Sequence, residues 1–128
     1  SLLAIAGSTA ILSRKESRDW TYSRHVAEAL YALMDQKNLT HDLYNITSGM
    51  PWSVEEWCKC LVKTFPEFQY RFARAGEQTN VDLFGDRDRV TMSSEKLTSD
   101  TGYELSKNIP EIYHNFEKWI LSSREFWK

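Results

Sequence analysis

The chain has little cysteine, no long apolar run and no surplus of basic residues, and each shortage closes off a class of function. Cys58 and Cys60 are its two cysteines. They lie two apart in a predicted helix and so point to different faces, which argues against a mutual disulfide or a shared metal and fits a reducing cytosol. No stretch approaches the roughly 18 apolar residues that a bilayer span requires, so the chain reads as soluble, with no membrane partner. Lys and Arg total 16 against 18 Asp and Glu, a formal net charge of -2, with a sequence pI near 5.9. That balance leaves no basic field to attract nucleic acid or an anionic membrane, and any anion site must be local. His25, His41 and His114 show no metal-ligand spacing among themselves or with the cysteines, so no metal is expected. No Ser-His-acid set can be assembled by motif. Asn38-Leu39-Thr40 and Asn45-Ile46-Thr47 match the glycosylation acceptor pattern, but with no signal peptide before them they read as chance.

What the sequence does have is aromatic content. Five Trp, six Tyr and six Phe make 13% of 128 residues, which implies a packed globular domain of one unit, residues 1–128. Leu2 to Ala6, ended by Gly7, is either a strand or the last turn of a helix. Ala10 to Leu12 and Trp20 to Tyr22 read as short strands, and Ser23 to about Asp35 as a helix. Asp42 to Ile46 reads as a strand followed by a Ser48-Gly49-Met50-Pro51 turn. Ser53-Val54-Glu55-Glu56 is a capping box that opens a helix with an apolar stripe of Val54, Trp57, Cys58, Leu61, Val62 and Phe65, which Pro66 ends. Phe68 to Phe72 alternates as a half-covered strand does, and Arg74 to Asn80 is polar and looped. Ser93 or Ser94 caps a short helix that Gly102 stops. A last helix starts near Pro110 and buries Ile112, Tyr113, Phe116, Trp119 and Ile120.

Arg18-Asp19-Trp20-Thr21-Tyr22 entering Val26-Ala27-Glu28-Ala29, with Tyr44-Asn45-Ile46-Thr47-Ser48-Gly49 further on, resembles the C-terminal half of the extended short-chain dehydrogenases. These are the NAD(P)-dependent epimerases and dehydratases of nucleotide sugars. The resemblance runs from about Ala6 to Ile120. It implies an α/β fold: the C-terminal part of a Rossmann-like dinucleotide fold plus the small substrate-binding lobe, short strands packed by helices. At 128 residues the chain is about half the size such an enzyme needs, so the resemblance implies a substrate-binding part of a larger protein. NAD or NADP would be bound by that parent and not by this chain.

In the family, the Arg of the Arg-Asp-aromatic motif binds the sugar-nucleotide diphosphate, a task that suits a guanidinium fork because it can pair with two phosphate oxygens at once. Arg18 takes that role by resemblance; a surface Arg paired with Asp19 or Glu16 is the competing assignment. The family also places an Arg just before a Gly-Asp pair. Here Val81-Asp82-Leu83-Phe84 precede Gly85-Asp86, and Arg87 and Arg89, just beyond, either substitute for it or form a solvated charge run with Asp86 and Asp88. His25 stands where the family usually has an acidic residue.

Two apparent active-site motifs fail on local grounds. Tyr103-Glu104-Leu105-Ser106-Lys107 contains the Tyr-x-x-x-Lys pair of short-chain dehydrogenases, in which Lys lowers the Tyr pKa for proton transfer while a hydride moves. That pair needs one continuous helix, and Gly102 and Pro110 bracket this one. Ala4-Ile5-Ala6-Gly7-Ser8-Thr9-Ala10 imitates the start of a dinucleotide fold, but Ala10 and Ser13 stand where further glycines are needed. The expected function is therefore a part that binds nucleotide-sugar substrate and is inactive alone, with no catalytic residue of its own; a non-catalytic interaction module is the alternative. Self-association is expected through surfaces left bare, namely the Asp42–Ile46 strand edge and the Val26-Leu30-Leu33 helix face.

Overall fold

The computed structural model describes residues 1–13, 17–81, 90–123 and 125. The chain divides into two compact units, each assembled from separated stretches. The first takes the described residues of Ser1–Glu16, Ser53–Asp88 and Ile109–Lys128; the second takes those of Ser17–Trp52 and Arg89–Asn108.

In the first unit the opening apolar run is a helix, α1 (Leu2–Ile5), closed by Gly7 at φ 63°. A Cβ on Gly7 would stand 3.2 Å from the Glu67 Cβ, so glycine serves both the left-handed turn and the close approach. Strand β1 (Thr9–Leu12) pairs in parallel with a later strand, Gln69–Phe72, from Thr9 opposite Gln69 to Leu12 opposite Phe72. The other edge of β1 is covered by Asn80, whose amide accepts from the Ile11 N–H at 2.7 Å and donates to the Thr9 carbonyl at 2.9 Å. Helix α3 (Val54–Thr64) begins at the anticipated capping box: the Ser53 hydroxyl accepts from the Glu56 N–H at 3.2 Å and the Glu56 carboxylate accepts from the Ser53 N–H at 2.7 Å. Helix α5 (Ile109–Ser122) has Pro110 in its first turn, where a missing N–H costs nothing. The core joins Ala10 and Leu12 of β1, Cys58 and Leu61 of α3, Phe65, Phe68, and Tyr113 and Ile120 of α5. Full burial of a side chain such as Leu12 or Leu61 is worth about 1.5–3 kcal/mol.

The second unit holds β2 (Ser17–Asp19), which pairs with β3 (Pro51–Ser53), together with α2 (Ser23–Met34) and α4 (Glu95–Thr101). Gly102, at φ 71°, ends α4 in the left-handed turn expected of it. The Ser93 hydroxyl, not that of Ser94, accepts from the Glu95 N–H. Ala29, Leu97 and Leu105 form its small core, with Leu33, Tyr44, Ile46 and Tyr103 packed around them. With β4 naming Gln69–Phe72 of the first unit, the alternation read there holds: Phe68 is buried, Tyr70 and Phe72 are half-buried, and Gln69 and Arg71 are exposed.

Four expectations are corrected. Trp20 to Tyr22 is not a strand; the strand is Ser17–Asp19, and the Trp20 indole instead donates to the Trp52 carbonyl at 3.0 Å. Asp42 to Ile46 is not a strand either, because its residues are held by side chains: the Tyr44 hydroxyl bonds Asp100, and the Asn45 amide donates to the Ser93 carbonyl. Trp119 is 46% exposed, at the end of an aromatic row with Phe116, Tyr113 and Trp57. On α2, Leu33 packs against the core and Val26 is half-buried, so the bare face is a different one, that of Ala27, Leu30, Tyr31 and Met34. Among the described residues no helix is long and apolar enough to cross a membrane, and no group of His, Cys, Asp or Glu is arranged to hold a metal ion.

Candidate functional site

Arg18 occupies the middle of β2 and is half-buried. Successive strand residues face opposite ways, so Arg18 and Asp19 address different sides. Asp19 is the fixed point of the second unit. Its carboxylate accepts from the Thr47 hydroxyl, from the Ser48 hydroxyl at 3.1 Å and from the Met92 N–H at 3.4 Å. The two hydroxyls are themselves acceptors, from the Gly49 N–H (3.1 Å) and the Met50 N–H (3.2 Å) respectively. One carboxylate thus organises the whole turn from Thr47 to Met50, and Thr47 and Ser48 are buried while doing so. The β2 backbone carrying Arg18 is held between this clasp and its pairing with β3.

Beside the turn lies an open hollow of about 510 Å³, walled by Ser48, Gly49, Met92, Ser93, Thr98 and Lys107 among others. Its lining is rich in hydroxyl groups, which donate and accept and so suit a polyhydroxylated ligand.

Tyr103 and Lys107 fall in the non-helical stretch between α4 and α5, not on one helix. The Tyr103 hydroxyl donates to the Glu28 carboxylate at 2.8 Å, and Lys107 pairs with Glu104 at 3.4 Å. Burial, and then the Glu28 hydrogen bond, push the Tyr103 phenol up to about 12, away from the easily ionised phenol that proton transfer would need. Glu28 moves the opposite way, lowered chiefly by that same hydroxyl. Tyr103 therefore acts as a strut between the linker and α2.

A second polar knot surrounds Asp100, whose side chain is 4% exposed. It accepts from the Tyr44 hydroxyl, from the Thr40 hydroxyl and N–H, and lies 3.3 Å from the His41 ring nitrogen. The Tyr44 hydroxyl first, then Thr40, hold its carboxyl far below the usual carboxylate range. Neither this knot nor the Asp19 clasp was legible as a constellation, because each carboxylate stands 28 to 73 residues in sequence from the groups that bond it. The one local signal was the run of short hydroxyl residues after Ile46. Arg87 and Arg89 lie outside the described residues. His25 is buried, edge-on to Tyr22 with ring centroids 5.4 Å apart.

No protein-family model matches the chain, and no curated protein matches it in sequence. Solved structures match it in fold. A structure described as MoeE5 in complex with UDP-glucuronic acid and NAD is similar over 95% of this chain, with TM-score 0.69 and 20% identity. Epimerase Mth375 from Methanothermobacter thermautotrophicus is similar over 98% with TM-score 0.70 and 19% identity. A dTDP-glucose 4,6-dehydratase from Bacillus anthracis, in complex with NAD, is similar over 98% with TM-score 0.68 and 14% identity. This chain spans 40%, 36% and 38% of those three chains respectively. The fold is that of a part of these α/β proteins, as the resemblance in the sequence implied.

Proposed function

We propose that this chain is the substrate-binding C-terminal part of an NAD(P)-dependent nucleotide-sugar epimerase or dehydratase, with Arg18 meeting the diphosphate. The observation that carries the reading is the agreement of fold over nearly the whole chain with an epimerase, a dTDP-glucose 4,6-dehydratase in complex with NAD and a protein in complex with UDP-glucuronic acid and NAD. It is supported by Arg18 lying on a strand whose next residue, Asp19, clasps the Thr47–Met50 turn. A guanidinium on a fixed backbone loses little freedom on meeting a phosphate pair. Arg87 and Arg89 are proposed as further anion contacts on the sequence alone.

The residues present do not fit a dinucleotide. Gly7 ends a helix and accommodates Glu67, where a pyrophosphate turn would need a strand, further glycines and a helix start. NAD or NADP, the hydride chemistry and the catalytic Tyr and Lys are thus assigned to another part of the parent, and this chain alone is inactive. A non-catalytic interaction module is the second reading, favoured by the bare apolar face of α2.

Calorimetry with UDP and UDP-glucuronic acid tests the proposal. Saturable binding is expected, weakened about tenfold or more by Arg18→Ala, as for loss of a charge-assisted hydrogen bond. Arg18→Lys should recover only part, since an ammonium cannot make the planar two-point contact. Saturable binding of NAD, or nucleotide binding indifferent to Arg18, would overturn it.

A further inference from the structure

The hollow beside the Thr47–Met50 turn lies wholly within the second unit, and its walls are pinned. Asp19 holds the turn through Thr47 and Ser48, and the same carboxylate takes the Met92 N–H. The Ser93 carbonyl accepts from the Asn45 amide, and the Thr98 hydroxyl donates to the Tyr103 carbonyl at 3.2 Å, which ties α4 to the linker that follows it. Other polar groups of the lining are unspent. Among the described residues the Ser94 and Ser99 hydroxyls and the Glu95 carboxylate bond nothing, and the Ser93 hydroxyl accepts from the Glu95 N–H but donates to nothing. Lys107 is matched by Glu104 at 3.4 Å, so the uncompensated charge among the described lining residues is that of Glu95. Successive residues of β2 face opposite ways. Ser48 and Met92, which bond Asp19, also line the hollow, so it lies on the side of the strand away from Arg18.

We propose that this hollow is a second binding site, separate from Arg18, and that it takes a neutral hexose. Its volume of about 510 Å³ falls within the ~300–1,000 Å³ of small-molecule sites. A sugar hydroxyl donates and accepts, so it meets a serine hydroxyl in either sense; the two oxygens of a carboxylate only accept, and so suit a pair of neighbouring sugar hydroxyls. Ser93, Ser94 and Ser99 supply the first kind of contact and Glu95 the second. Met92, 54% exposed, offers its thioether chain to the C–H side of the ring. The charge on Glu95 turns away phosphate and uronate, the ligands that a guanidinium such as Arg18 attracts. Because the walls are already fixed, little ordering opposes binding, and a ligand of about a dozen non-hydrogen atoms is held with a millimolar dissociation constant. The inference does not rest on the sugar-nucleotide reading.

Amide NMR of the 15.0 kDa chain, titrated with glucose, galactose and mannose, tests it. At least one of the three should move the Gly49, Ser93, Ser94 and Ser99 N–H signals along a saturable curve in the millimolar range. The uronate of the sugar that binds should bind about threefold more weakly, the scale of an exposed charge interaction. Ser99→Phe should abolish binding by filling the hollow. Glu95→Gln should weaken the neutral sugar and narrow its lead over the uronate. Both positions are exposed, so folding is retained, and circular dichroism of each variant verifies this. UDP added to the saturated complex should leave those signals in place. No saturable shift from any of the three sugars up to ~200 mM would overturn the proposal, as would shifts indifferent to Ser99→Phe. A uronate held as tightly as its neutral sugar, or displacement of the sugar by UDP, would overturn it as well.

Discussion

The Thr47 hydroxyl donates to the Asp19 carboxylate from 28 positions along the chain, and through it the Gly49 backbone is tied to β2. Removing the carboxylate strands several donors together. Asp19→Ala should destabilise the protein by about 2 kcal/mol, the usual cost of leaving a buried hydroxyl without its charged acceptor. Thr47→Val removes one donor to that carboxylate and the acceptor of the Gly49 N–H, but the Ser48 hydroxyl and the Met92 N–H keep their bonds to Asp19, so it should cost less. Urea denaturation of the two variants makes the comparison, and equal losses would count against the clasp.

Gly102 stands at φ 71° with nothing within 4 Å of where a Cβ would be. The cost of Gly102→Ala is therefore purely conformational, about 1–2 kcal/mol, and Gly102→Asn should recover part of it because Asn tolerates the left-handed region. Gly7→Ala adds a steric demand, since the new methyl meets the Glu67 Cβ at 3.2 Å. Thermal melts should rank Gly7→Ala below Gly102→Ala, and the reverse order would refute the distinction.

Ser53→Ala removes the acceptor for the Glu56 N–H and half of a reciprocal cap. A loss of about 1 kcal/mol is expected in equilibrium denaturation. Little or no loss would mean that α3 is held by packing alone.

Glu77 is drawn down to about 2 by the Arg71 guanidinium and then by the Arg74 N–H. A carboxyl whose folded pKa lies below its unfolded value stabilises the fold above the unfolded value, and that contribution fades as pH falls toward the folded one. The first unit should thus lose this contribution between its ordinary value of 4.5 and about pH 2. In the Arg71→Ala variant, NMR titration should find Glu77 moved up toward its ordinary value but still below it, because the Arg74 N–H remains. An unmoved Glu77 would place the cause elsewhere.

The legible parts of this fold were the local ones. Ser53 and Glu56 are three residues apart and answer each other, and Gly102 ends a helix through its own backbone, so both could be read in place. Asp42 to Ile46 has the composition of a strand, yet Tyr44 finds Asp100 from 56 residues away, and no periodicity carries that information. Trp20 to Tyr22 failed for the same reason, because the Trp20 indole is spent on Trp52. On α2 the apolar positions outnumber those one core can cover, so the pattern identified a helix without saying which face was inside. For the candidate site, Arg18 was visible as a motif, whereas the Asp19 clasp that fixes its strand exists only once residues 47, 48 and 92 have come together.

The division of the chain between its two units sets an order of events during synthesis. The last stretch of the second unit ends at Asn108, while the first unit still awaits Ile109 onward, the helix that supplies Tyr113 and Ile120 to its core. As a nascent chain leaves the ribosome, the unit carrying Arg18 is complete in sequence while β1, α3 and β4 lack their covering helix. Domains fold as their residues emerge, so the later-finishing core leaves its apolar face open for the interval in which α5 remains inside the exit tunnel.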